Sequence, residues 1–170
     1  MDSVISDQWP GIRALWKRIG VVPIASVNRD GTPHISPIGS VWLHPVEPRG
    51  IYLEMYTRAM PSNFKHNPNF TALLVDDGAM FWLRSLIAGR FSRPVGVRLK
   101  GIAGERRRAT DKELGRFRRR VGVVSWTKGH DILWGADSAF ARDLDFVSVC
   151  DVKLGKMTKA VELQRRQSAG

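Results

Sequence analysis

A single cysteine, Cys150, stands in 170 residues, so an internal disulfide framework and a multi-cysteine metal site are both excluded. Long apolar runs are missing too: no stretch comes near the ~20 residues that a membrane span requires. The opening MDSVISDQWP carries two acids and lacks the basic-then-apolar layout of a secretory signal, which predicts a reducing cytoplasm as the compartment. Cys150 lies in the apolar alternation FVSVCDV, which predicts a buried, inert thiol. Acidic side chains are also scarce, with 16 Asp and Glu against 27 Lys and Arg, a formal net charge of +11. From Arg84 to Arg120 there are 13 basic residues and three acids (Glu105, Asp111, Glu113), a local net of +10 that holds nearly the whole excess. Such a cluster suits a nucleic-acid surface, a site for anionic small molecules, or a solvated helix face, and charge alone does not choose.

What is present is a globule's composition, 43% hydrophobic, at a length that suits one domain. Ile12, Leu15, Trp16 and Ile19 repeat at helical spacing, predicting a short amphipathic helix over Pro10–Ile19 that ends on a left-handed Gly20. Val21–Val27 reads as a strand, Asn28–Gly31 as a tight turn, and Thr32–Leu43 as a second strand of a hairpin. Pro33 and Pro37 cannot donate to a ladder, so that second strand is an edge or leaves the sheet partway. Further strands are expected at Ile51–Tyr56, Phe70–Val75, Met80–Leu83, Val95–Arg107 and Phe146–Leu154. Pro61 opens a helical turn that Pro68 must stop, and Thr110 with Glu113 forms a capping box for a helix over Thr110–Val121. The chain thus reads as a single mainly-β domain, residues 1–170, with two to four short helices and frayed tails at 1–8 and 162–170.

The segment with chemical content runs from Val21 to Leu74. A helical turn presents unpaired N–H groups to an anion, and Thr57 and Arg58 precede this one, with Ser62, Asn63 and Lys65 inside it. The run IASVNRDGTPHISPIG, followed by IYLEMYTRAMPSNFKHNPNFTALLVDD and later VRLKGIAGERR, resembles the FMN-binding split-barrel proteins related to pyridoxamine 5′-phosphate oxidase. Asp30-Gly31-x-Pro33 and Asn67-Pro68 carry the likeness in identity and spacing. The resemblance implies a six-stranded split β-barrel, a homodimer, and FMN in clefts at the interface. It places His34, Ser36, Pro37, Ile38 and Gly39 along the flavin ring, and Thr57, Arg58, Ser62, Asn63 and Lys65 at its phosphate. Trp126 and Trp134 are candidates to cover the cofactor from across the interface.

The departures point away from the oxidase itself. Where it carries an Arg and a Lys on the second strand, this chain has Ser36 and Val41; its Ser-Arg-Lys aligns with Arg58-Ala59-Met60. Phosphate then falls to Arg58, to backbone N–H groups, or to a cation such as Lys65 or Arg98. The oxidase's C-terminal Arg-x-His is replaced by Lys156-Met157-Thr158-Lys159. The expectation is a flavin-dependent oxidoreductase for a small molecule, with F420 as an alternative cofactor. A non-catalytic barrel for haem or nucleic acid is the other class; His34, His44, His66 and His130 lack metal-ligand spacing, and the arginine cluster lacks a recognition fold.

Overall fold

The computed structural model describes residues 2–55, 58–128, 140–159 and 161. Helix α1 (Asp2–Trp16) leads into a hairpin of β1 (Val22–Val27) and β2 (Pro33–Ile38), then β3 (Val41–Leu43) and β4 (Arg49–Glu54). Helix α2 (Ala59–Phe64), β5 (Asn69–Val75), α3 (Ala79–Ala88) and β6 (Gly96–Ala103) follow. The short β7 (Arg107–Arg108), α4 (Asp111–Val121) and the long β8 (Phe140–Asp151) complete it. The strands form one antiparallel sheet in the order β2-β1-β5-β6-β8-β4-β3, with β7 beside β8.

That order explains the barrel. β2 and β3 occupy opposite ends of the path yet are joined through Gly39 and Ser40 alone. So short a link spans only ~10 Å, so the sheet must curl until its two edges meet without pairing. This is a mainly-β split barrel, as the sequence predicts, and the Pro33/Pro37 strand is an edge that breaks off at Gly39. The turn before it requires its glycine: Gly31 has φ of +84°, and its N–H donates to Asn28 O at 2.9 Å.

The inner face is the core. Ile24, Ala72 and Leu99 sit in register across β1, β5 and β6, and α1 plugs the barrel with Ile5, Trp9, Ile12 and Leu15. Each of the buried leucines and isoleucines contributes roughly 1.5–3 kcal/mol. Phe70 lies edge-on to Phe146 at 5.6 Å, and only glycine fits beneath it: a Cβ on Gly101 would stand 2.5 Å from both the Phe70 ring and Asp145 O.

Several sequence expectations are corrected. The first helix begins at Asp2 rather than Pro10, because Ile5 and Trp9 extend its buried stripe into the segment expected to fray; it ends at Trp16, and Gly20 is not left-handed. Met80–Leu83 is no strand but part of α3, stopped by a left-handed Gly89 with φ of +62°. The expected strand Val95–Arg107 stops at Ala103, with Arg107–Arg108 pairing separately, and the last strand starts at Phe140. Cys150 is exposed. A register shift in β8 pairs Gly101 with Phe146 but Lys100 with Ser148, so residues beyond Val147 change faces and Cys150 joins Arg98 on the outside. Residues 162–170 lie outside the described residues.

Candidate functional site

The first part of the site is a junction. Helix α2 packs against β1 and β2, and its buried Asn63 fixes the contact. The Asn63 amide donates to Ser26 Oγ at 3.0 Å and to Asn28 Oδ1 at 2.9 Å, joining the helical turn to the base of the β1–β2 hairpin. Asn28 also donates to Thr32 Oγ1, which in turn donates to Asp30 at 2.6 Å. Those hydrogen bonds from Thr32 hold the Asp30 carboxyl below its ordinary range. So the Asp-Gly-x-Pro turn and the segment before Asn67-Pro68, far apart in sequence, form one wall.

Along β2, His34, Ser36 and Ile38 face inward, with His34 Nε2 3.0 Å from Ser36 Oγ, while Pro37 and Ile35 face outward. No strand pairs with the far edge of β2 among the described residues, so its backbone can bond a ligand. Gly39 is exposed at the break. Arg58 caps α2 from an exposed position without a side-chain cap bond, and no acid stands in the first turn. Ser62 and Lys65 are exposed on the same turn. The structure therefore joins α2, whose turn carries Arg58, Ser62, Asn63 and Lys65, to the hairpin that carries His34, Ser36, Pro37, Ile38 and Gly39, and the contact shown between them is that of Asn63. Thr57 and Trp134 lie outside the described residues. Trp126 follows α4 and is 85% exposed. Arg98 is exposed on the outer face of β6.

Behind α2 lies a group of residues that sequence reasoning missed. Glu54, at the end of β4, is buried and accepts from Arg142 Nε on β8, from Tyr52 Oη at 3.0 Å and from Arg106 Nε at 2.7 Å. Arg142 is itself buried; it also donates to Gly104 O at 2.9 Å and reaches Pro61 O of α2 at 3.4 Å. The Arg106 guanidinium lies 3.5 Å above the Phe140 ring. Burial, and then the neighbouring Glu54 carboxylate, push the Tyr52 phenol far above its ordinary value, so it stays a neutral donor. The network anchors the start of α2 to the barrel wall. Its only sequence signal is the acid at the end of an apolar strand.

The arginine-rich segment is partly structural as well. Arg107 makes a two-pronged contact with Glu113 at 2.8 and 2.9 Å and reaches Asp143 at 2.8 Å, which raises its already high pKa further. Glu113 is held down to about 2, chiefly by Arg107, against the opposing effect of burial. It completes the expected capping box with Thr110. Arg120 donates to Gly20 O at 2.8 Å. A cavity of about 640 Å³ opens beside this cluster, with cations (Lys112, Arg116, Arg49) and acids (Glu113, Asp143, Asp145) mixed along it. The mixture of signs gives it no clear preference for an anion. Among the described residues no group of three His, Cys, Asp or Glu side chains is placed to hold a metal.

This architecture is shared. The family described as pyridoxamine 5′-phosphate oxidase matches residues 9–132. Among solved structures, the chain is similar to the heme storage protein HutZ from Vibrio cholerae, at 14% identity over 84% of this chain and 92% of that one, with a TM-score of 0.55. It is similar to an FMN-binding protein from Syntrophomonas wolfei, at 13% identity over 91% and 90%, with a TM-score of 0.54. An F420 reductase is 13% identical over 82% and 96%, with a TM-score of 0.52. At these identities the likeness is one of fold. No curated protein matches the chain in sequence. With the family match spanning most of its length and the split barrel in place, the chain belongs to the pyridoxamine 5′-phosphate oxidase family.

Proposed function

We propose that the junction of β2 and α2 binds FMN and that the protein is a flavin-dependent oxidoreductase acting on a small molecule, distinct from the oxidase that names its family. One observation carries this reading: Asn63 ties α2, which the exposed Arg58 caps, to the β1–β2 hairpin, whose strand β2 has an unpaired edge. Those groups fit the cofactor. A guanidinium offers a phosphate paired N–H donors, and a free strand edge offers a flat polar ring backbone donors and acceptors. Arg58 and Ser62 hold the phosphate end, and the backbone edge of β2 lies along the ring with the exposed Pro37 and Gly39, while the side chains of Ser36 and Ile38 face the core.

Bound there, FMN supplies hydride transfer at its ring. The chain's own part is placement: the Glu54–Arg142 network holds the start of α2, and the inward hydrogen bond between His34 and Ser36 stiffens the edge strand. The family relation and the FMN-binding neighbour support this choice. The outer sheet face supports a homodimer. Ile35, Ala25, Thr71, Lys100 and Ser148 form one row across five strands, and Ile35 at its edge is 66% exposed. A partner laid on that face would cover the row.

The test is a spectrum of the purified full chain, before and after a nicotinamide reductant. Absorbance near about 450 nm that bleaches on reduction is the expected flavin behaviour. A Soret band would assign the barrel to haem, and a deazaflavin spectrum to F420. A colourless chain that takes up none of the three contradicts the proposal.

A further inference from the structure

Helix α3 has an outward face that nothing among the described residues covers. Phe81 and Ser85 point into a small core with Phe91, Val95 and Val161. At helical spacing the opposite side is Met80, Leu83, Leu86 and Ile87, which are 60%, 52%, 63% and 79% exposed. Arg84 is the only charged residue among the ten. A helix that is apolar on both sides belongs in an apolar surrounding, whether a core or a membrane. Four large apolar side chains in one exposed stripe are also more than scattered surface residues.

A second feature adjoins the stripe. A cavity of about 500 Å³ runs along the flank of α3, lined by Arg84, Arg90 and Arg93 together with Ser85 and Ser92. Arg93 is held there by Asp76 at 2.6 Å and stacks on Phe81 at 4.2 Å. Burial alone would raise the Asp76 carboxyl, but its bond from Arg93 keeps it lowered and charged, so the guanidinium stays in position. Arg84 and Arg90 are exposed, with no acid paired to them among the described residues. Lys156 and Lys159 lie on the neighbouring segment, whose Met157 packs into the same small core.

We propose that α3 is a membrane-surface anchor: its apolar stripe enters the interfacial layer of an anionic phospholipid bilayer, while the Arg84–Arg90–Arg93 pocket takes a lipid phosphate. Apolar insertion flanked by cations is the pattern of interfacial helices, and acidic lipids draw each nearby cation by ~1 kcal/mol. A second copy is the poorer occupant. A twofold contact sets a patch against itself, here arginines against arginines, and one helix ~15 Å long falls short of the ~800 Å² per partner of a stable dimer. No helix among the described residues is long and apolar enough to cross a membrane, so the anchor lies on the surface. The proposal is independent of the cofactor.

The test is cosedimentation of the full chain with phosphatidylcholine vesicles, with and without phosphatidylglycerol. Binding is expected only when the acidic lipid is present. Leu83→Glu/Ile87→Glu should lower the partition coefficient about tenfold or more, and Arg84→Ser/Arg90→Ser by a similar factor, with thermal unfolding unchanged because all four side chains are exposed. Arg116→Ser/Arg119→Ser on α4 should have a much smaller effect. The proposal is overturned by failure to bind acidic vesicles, or by binding that the α4 pair abolishes and the α3 pairs spare. A change in solution mass on Leu83→Glu/Ile87→Glu would also overturn it, since a second copy would then own the stripe.

Discussion

Two regions of this molecule use arginine in opposite ways. Behind α2, Arg142 is buried, bonded to Glu54 and to Gly104 O, and serves the fold. Along α3, Arg84 and Arg90 border an open cavity and serve nothing within the chain that the described residues reveal. Arg58 resembles the second group: it caps a turn that the first group holds in place, yet makes no cap bond of its own. The contrast separates structural cations from those free to meet an anion, a distinction that net charge cannot draw. It also shows why a +11 chain need not bind nucleic acid, because Arg106, Arg107, Arg120 and Arg142 are already engaged.

The contrast is easiest to break at its buried end. Arg142→Met leaves Glu54 buried with two of its three partners, and should cost about 3–5 kcal/mol in a denaturant titration. Loosening the start of α2, it should also weaken FMN binding. Arg58→Ala, by comparison, removes a charged contact of about 1.5–3 kcal/mol, so FMN affinity should fall roughly tenfold to hundredfold while the unfolding midpoint stays put. Gly101→Ala forces a methyl group against Phe70 and the β8 backbone, and should destabilise by about 1–3 kcal/mol without touching either cation group.

Glu113→Gln gives a smaller effect, about 1 kcal/mol at neutral pH, through the cap and the Arg107 pair. Its sign with pH is fixed. The folded carboxyl titrates at about 2 against an ordinary 4.5, so its contribution is whole above 4.5 and disappears as pH falls toward 2. Melting curves of the two proteins should converge over that window. A constant gap would place the stabilisation in packing rather than charge.

The parts legible in the sequence are those that local chemistry decides. The capping box at Thr110 and Glu113 is a short-range exchange of hydrogen bonds, and the prolines of β2 forbid a central position wherever the strand sits. The left-handed Gly31 was equally local. What escaped depends on partners distant in the chain. Arg142 sits in ARDLDF, which reads as alternating surface charge, and only its register opposite Tyr52, beside Glu54, buries it. The apolar run MFWL is too short for its period to tell strand from helix, and the choice was made by Gly89 beyond it and by the small core beneath. Cys150 is exposed against its alternation because a register shift, invisible in the sequence, turns the end of β8 over. Of the candidate site, the helical turn and the hairpin were legible, and the Asn63 contact that joins them was not. Asn63 was expected at a phosphate, yet its amide is spent on Ser26 and Asn28.

The central claim is that Arg58 and β2 form a flavin cleft, and a fluorescence titration of FMN into the full chain tests it most directly. The wild type and Arg84→Ala should bind FMN alike, while Arg58→Ala binds at least about tenfold more weakly. Equal affinity in all three, or no binding by the wild type, would contradict the account.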